Sequence, residues 1–137
     1  MLTREATKSI VGWLIVVGHF ALVVCVLTQG EMSPDQRVKI MLTLGPIATA
    51  YFVSVVKNFI ANPGPVQGTS PVNANFFSIC LMLPAAFMGF IAYLIIQYPS
   101  SIADNSDSLQ QWIAAIEIAL GGTVGLVVDD LFPRKSV

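Results

Sequence analysis

The chain has 137 residues, of which 55% are hydrophobic and only 11% charged, with a net charge of −1 and a mean hydropathy of +0.74. A soluble domain carries roughly 25% charged residues, so this composition excludes a well-wetted globular surface, and the near-neutral balance excludes an electrostatic footprint for nucleic acid. The length fits one domain and not two.

Charges are absent from Ser9–Gly30, Ile40–Val56 and Asn58–Ala103. A spanning helix needs about 20 mostly apolar residues, and Ile10–Thr28, Val38–Ala61, Phe76–Gln97 and Trp112–Phe132 meet or approach that need. In lipid a backbone must satisfy its own hydrogen bonds, and these runs lack the alternation of barrel strands. The expected fold is all-α, a four-transmembrane-helix bundle forming one domain over 1–137, with helices at about 4–29, 34–61, 75–98 and 109–132.

Helix one starts near Thr3, with Glu5 in its first turn where the dipole favours an acid, and ends at Gln29-Gly30. Its apolar run is longer than a signal-peptide core and no small-x-small cleavage site follows, so a retained helix is expected. His19 sits at its middle, on a face with Gly12, Val16 and Val23. A histidine there suits proton relay or an interhelical hydrogen bond. Cys25 and Cys80 both lie in apolar runs and read as small buried hydrophobes.

Ser33-Pro34-Asp35-Gln36 combines a capping hydroxyl, a first-turn proline and a Gln three residues on, which marks the start of helix two. Some 28 residues give it roughly 42 Å, longer than the hydrocarbon core, so it tilts or projects. Pro46 inside it predicts a kink. Thr43, Ala50, Ser54, Lys57 and Asn58 make a polar stripe with Tyr51 at its edge, expected to face the bundle. Lys57 either snorkels to the inner surface or pairs with Asp129 or Asp130. The Pro- and Gly-rich stretch Asn62–Pro71 is a loop.

Asn73 or Asn75 caps helix three, which carries a second kink-forming proline, Pro84, and stops at Tyr98-Pro99. Its stripe of Asn75, Ser78, Ala85, Gly89, Tyr93 and Gln97 is also expected to face the bundle. Ser108 with Gln111 repeats the capping spacing and starts helix four; Pro133 ends it. Glu117 lies about one and a half turns into its apolar run. A carboxylate at bilayer depth costs roughly 2.5–3.5 kcal/mol, so such residues face protein or water and mark ion or proton sites unless they sit near the headgroups. Ala114, Gly121, Gly125 and Val128 are read as sharing its face, with Ile113, Ile116, Leu120 and Val127 turned away. Gly121 and Gly125, as a GxxxG pair, invite close approach of another helix, and Gly89 is the corresponding packing glycine of helix three. Asp129 and Asp130 close helix four at the inner boundary, either solvated beside Arg134 and Lys135 or as acids at a pore mouth.

Five Lys and Arg (Arg4, Lys8, Lys57, Arg134, Lys135) lie on one side and two (Arg37, Lys39) on the other, which puts both termini in the cytoplasm. A prokaryotic inner or plasma membrane is the expected location. Trp112, Tyr93 and Tyr98 are expected at the outer interface, Trp13 and Phe132 at the inner one.

No Walker loop, HExxH, Cys-x-x-Cys or GxSxG occurs, and one histidine cannot build a multi-histidine metal site. No enzyme activity, cofactor or metal is expected. Size and layout resemble the small multidrug-resistance exporters and the small fluoride channels. The exporters, however, carry their acid in the first helix. The glycine-rich stretch of the fluoride channels lies near the start and leads to arginine, whereas Gly121–Gly125 lies near the end and leads to two aspartates. No family is assigned.

Four such helices enclose little space, so the leading expectation is a subunit of a homo-oligomeric ion channel or pore, or a membrane-permeabilising effector, with helix four and Glu117 near the path. The alternatives are a proton-coupled small-molecule transporter using Glu117 and a non-conducting structural subunit or anchor of a larger complex. The partners expected are the lipid bilayer, further copies of the chain and another membrane protein, with no nucleic acid.

Overall fold

The computed structural model describes the backbone of residues 4–61 and 73–131, and their side chains except at 4, 5, 54, 55, 58–61 and 124–131. Four helices occupy it: α1 Arg4–Thr28, α2 Pro34–Ala61, α3 Ala74–Ile96 and α4 Ser106–Leu131. Local signals account for their starts. Ser33 and Gln36 form a reciprocal box at α2: the Gln36 amide donates to Ser33 Oγ at 3.4 Å, and the Ser33 amide donates to Gln36 Oε1 at 2.8 Å. Asn73 caps α3, its side chain accepting from the Asn75 amide at 3.0 Å. At α4 the cap is Asn105, not Ser108. Its side-chain oxygen accepts from the Asp107 and Ser108 amides at 3.1 and 2.9 Å, so the helix begins three residues before the expected 109. Asn is at least as good a cap as Ser, and the earlier one in the chain prevails. Helices α2 and α3 both continue through their prolines, Pro46 and Pro84.

Helix α1 packs on α2 and α3, and α4 packs on α2 and α3, so α1 and α4 face one another across the middle. The end of the molecule where α1 and α3 finish, called the outer end after its expected orientation, shows the direction of each helix. Gln29, just past α1, donates to the Ile95, Ile96 and Tyr98 carbonyls at 2.6, 3.2 and 3.2 Å. These carbonyls lie in the last turn of α3 and just past it, where helical donors run out; that of Ile95 also accepts from the Tyr98 amide at 3.3 Å. Arg37 Nη2 donates to the Gln29 carbonyl at 2.8 Å, and the exposed pair Lys39–Asp107 spans α2 and α4 at 3.6 Å. The end of α1 therefore lies beside the end of α3, and the start of α2 beside the start of α4. Tyr98 is buried here, its hydroxyl accepting from Gln36 at 3.5 Å, and so belongs to the core and not to an aromatic belt.

The buried stripe of α1 is Thr7, Val11, Ile15, His19, Leu22 and Val26, with steps of three and four residues. It meets Ile40 and Leu44 of α2, Cys80, Met88, Ile91, Leu94 and Ile95 of α3, and Leu109, Ile113, Ile116 and Leu120 of α4. The expected inward stripes of α2 and α3 are corrected by this core. On α3, Asn75, Ser78, Ala85, Gly89, Tyr93 and Gln97 are all exposed. On α2, Ala50 and Lys57 are exposed and Thr43 turns its hydroxyl to its own Lys39 carbonyl; Ser54 and Asn58 lie outside the described side chains. Large aliphatic side chains fill the centre because they make more contacts per residue than small polar ones.

Helices α1, over Ala6–Thr28, and α3, over Ala74–Ile96, are long and apolar enough to cross a membrane, and only 28% and 33% of their most apolar windows are buried. Outward side chains such as Trp13, Val17, Phe20, Ile79 and Met82 suit contact with lipid.

Candidate functional site

His19 and Glu117 meet in the interior. His19 lies nine residues before the end of α1 and Glu117 eleven residues after the start of α4. These are depths of about 14 and 17 Å at 1.5 Å per residue, measured from the same end of the molecule. Both side chains are buried, at 3% and 2% exposure. His19 Nε2 is 3.2 Å from Glu117 Oε1, and His19 Nδ1 is 2.8 Å from the Ile15 carbonyl one turn back. Glu117 therefore faces its own chain at mid-depth, three turns into α4. The one and a half turns read from the sequence count from Trp112, six residues after the start of α4.

The hydrogen-bond geometry limits the protonation states open to the pair. A carbonyl oxygen only accepts, so Nδ1 carries its hydrogen. Nε2 is then either a lone pair on a neutral ring or an N–H on an imidazolium. The contact to Oε1 is a bond only if one proton lies between the two side chains: the acid donates to the ring, or the imidazolium donates to the carboxylate. With that proton the pair is neutral overall. Without it a nitrogen lone pair faces a carboxylate, and a single negative charge is buried. Glu117 Oε2 is buried with no hydrogen-bond partner among the described residues. Tyr51, half-buried on α2, lies within electrostatic reach of the Glu117 carboxylate.

The surroundings are apolar. Ile113 and Leu120, expected on the opposite side of α4, are buried on the same face as Glu117 because they stand four residues before and three after it. A cavity of about 260 Å³ opens between α1 and α2, lined by Val16, His19, Phe20 and Val23 of α1 and by Ala48, Thr49 and Phe52 of α2. Both ring nitrogens of His19 already have hydrogen-bond partners, Ile15 and Glu117. At the same level Met88 of α3 lies over Gly18. A side chain on Gly18 would collide with the Met88 thioether, so close approach of α1 and α3 depends on this glycine.

The other sequence candidates lie elsewhere. Lys57 is exposed on α2, far along the chain from the pair. Asp129 and Asp130 belong to the last turn of α4, but their side chains, like that of Gly125, lie outside those described, and so does any pairing with Lys57. A Cβ on Gly121 would stand 3.6 Å from Ile47 Cδ1, an ordinary contact, and one on Gly89 would meet nothing within 4 Å. Within one chain Gly89 packs no helix, and the packing glycine is Gly18. The sequence reading passed over Gly18, Gln29 and the groove; the one available signal was a glycine beside the sole histidine.

Among the described residues no cluster of three or more His, Cys, Asp or Glu could hold a metal ion. Comparison with protein-family models, with curated proteins and with solved structures finds no match to the chain.

Proposed function

We propose that this chain is a four-span integral membrane protein whose His19–Glu117 pair takes up and releases a proton at mid-membrane, and that it works as a proton-coupled transporter of a small molecule. The carrying observation is two titratable side chains on opposite helices, fully buried, sharing a bond that requires one proton and leaving one carboxyl oxygen unmet. A purely structural contact between α1 and α4 needs no ionisable group, and intramembrane ionisable residues characteristically mark proton or substrate routes.

Four spans are supported by the outward side chains of α2 and α4, among them Val38, Leu42, Phe52, Trp112 and Ile118, which are as apolar as those of α1 and α3. The uncharged run Ile40–Val56 has the length of a span. The count of Lys and Arg supports cytoplasmic termini.

The test uses proteoliposomes holding an internal pH indicator and a proton gradient, challenged in turn with pools of amino acids, sugars, organic cations and organic anions. One pool is expected to discharge the gradient, and Glu117→Gln to abolish that discharge. No discharge with any pool would sink the transporter reading.

A second reading, the homo-oligomeric channel, is favoured by one observation. The outward face of α3 carries Ser78, Ala85 and Gly89, small residues that suit contact with another helix better than contact with lipid. Glu117, turned into its own chain, would not line the axis of such an oligomer. Unitary current steps in planar bilayers, with gradient collapse before any solute is added, would select the channel. Stable capture of another membrane protein with indifference to Glu117→Gln would select an anchor.

A further inference from the structure

We propose that the groove between α1 and α2 is a binding site for the hydrocarbon tail of a bilayer lipid, and that the bound tail keeps water from the His19–Glu117 pair. The proposal rests on the reading of α1 and α2 as membrane spans.

Depth comes first. The groove is centred on His19, about 14 Å from the end of α1 by helical rise. That is close to half of a hydrocarbon core roughly 30 Å thick. At this level a molecule approaching from the side is a lipid tail; headgroups lie about a half-thickness away.

Chemistry comes second. Four of the lining side chains are large and apolar, Val16, Phe20, Val23 and Phe52, and Ala48 adds a small one. His19 has both nitrogens bonded, to Ile15 and Glu117, so it offers an occupant no free hydrogen-bonding group. Thr49 supplies the one hydroxyl. Such a lining is uncharged and complements an uncharged chain; a polar or charged occupant would lose its hydration with little in return.

Size comes third. The cavity holds about 260 Å³, whereas an apolar cavity of roughly 150 Å³ accommodates a benzene-sized molecule. A segment of hydrocarbon chain fits. A second protein copy does not find enough to hold: seven residues line the groove, against about 20–30 a side in a stable protein interface. The groove is continuous with the exposed faces of Phe20 and Phe52, which are 74% and 54% accessible, so a tail enters without any helix moving.

The consequence concerns the proton. His19 lines the cavity and bonds Glu117, which does not line it, so the imidazole links the two. A tail lying on it excludes water, whereas an empty groove admits water to within one ring of the acid. Among the described residues, Tyr51 of α2 is a titratable group within electrostatic reach of Glu117; α3 offers Cys80 and Tyr93, the latter exposed, and its sequence has no charged residue.

The experiment reconstitutes the whole chain in bilayers of a phosphatidylcholine carrying a diazirine near the methyl end of one chain. Adducts after illumination are mapped by mass spectrometry. Val16 and Val23, half-buried in the groove, are expected to label at least as strongly as Val17 and Leu42, which are fully outward. Ala48→Phe, which fills the groove, is expected to cut the first pair about tenfold and leave the second unchanged. Val16→Phe, read at Val23, replaces it if Ala48→Phe does not fold. Groove labelling well below that of the outward residues, or unaffected by filling, overturns the proposal. So does disulfide dimerisation of Phe20→Cys that protects the groove from label, since it makes a second copy the occupant. Release of the chain from membranes by alkaline carbonate would sink the membrane reading itself; insertion with an unlabelled groove sinks only this inference.

Discussion

Two polar junctions hold the four helices together, and they are built on opposite plans. At the outer end the partners are mostly amides and carbonyls. Gln29 ties the end of α3, Arg37 ties Gln29, and Gln36 meets Tyr98. These side chains are half-exposed or next to exposed residues, so an unmet donor such as Arg37 Nε is close to water. At mid-depth the junction is one bond between two titratable groups, both fully buried, with an unmet carboxyl oxygen. The first plan satisfies backbone groups that a helix end must leave open. The second satisfies nothing that the helices require and introduces an acid where insertion is costly. The outer junction therefore satisfies groups that the fold leaves open, and the buried pair is the one on which the proposed proton exchange rests.

That contrast breaks most readily at Glu117. Glu117→Gln keeps the shape and removes the transferable proton. The solute-driven gradient discharge should fall by at least about 100-fold, the lower range for removing a positioned acid–base group. Equal discharge would place the proton elsewhere.

The next effect is on stability. His19→Leu leaves the Glu117 carboxyl with no partner and should lower unfolding stability in detergent by about 2 kcal/mol, near the upper range for interhelical polar contacts in membranes. Adding Glu117→Leu should return stability to within about 1 kcal/mol of the parent, since apolar pairs replace buried polar ones with little loss. Failure of the second change to restore stability would make the pair a structural device after all.

Gln29→Ala is the converse case. It removes the side-chain donor shared by the Ile95, Ile96 and Tyr98 carbonyls and should cost about 1.5 kcal/mol in the same assay, with gradient discharge unchanged. A transport defect here would merge the two junctions into one machine.

Gly18→Ala should cost about 1 kcal/mol, the low end of overpacking, because the Met88 thioether can swing aside. A smaller residue at position 88, as in Met88→Val, should recover most of it. The smallest effect is expected at Lys39→Ala. Its pair with Asp107 is mostly exposed, and removal should move stability by no more than about 0.5 kcal/mol.

The sequence alone was sufficient for four helices and for the cap at Ser33, and it narrowed the α3 cap to Asn73 or Asn75, because caps and apolar runs are local. It was also sufficient to pick out His19 and Glu117, because an ionisable residue inside an uncharged run is conspicuous without any partner in view. It misjudged which faces turn inward on α2 and α3. There, small polar residues were taken for the inner surface, whereas Ile40, Leu44, Met88 and Ile91 fill it.

What only the tertiary structure decided is that the two ionisable residues, 98 positions apart, are one site. Helical periodicity orders residues around a single axis and says nothing about the rotation of one helix against another. That rotation is set by packing, here by the contact of Met88 on Gly18 and by the ties of the outer end, and it turns His19 and Glu117 toward the same point.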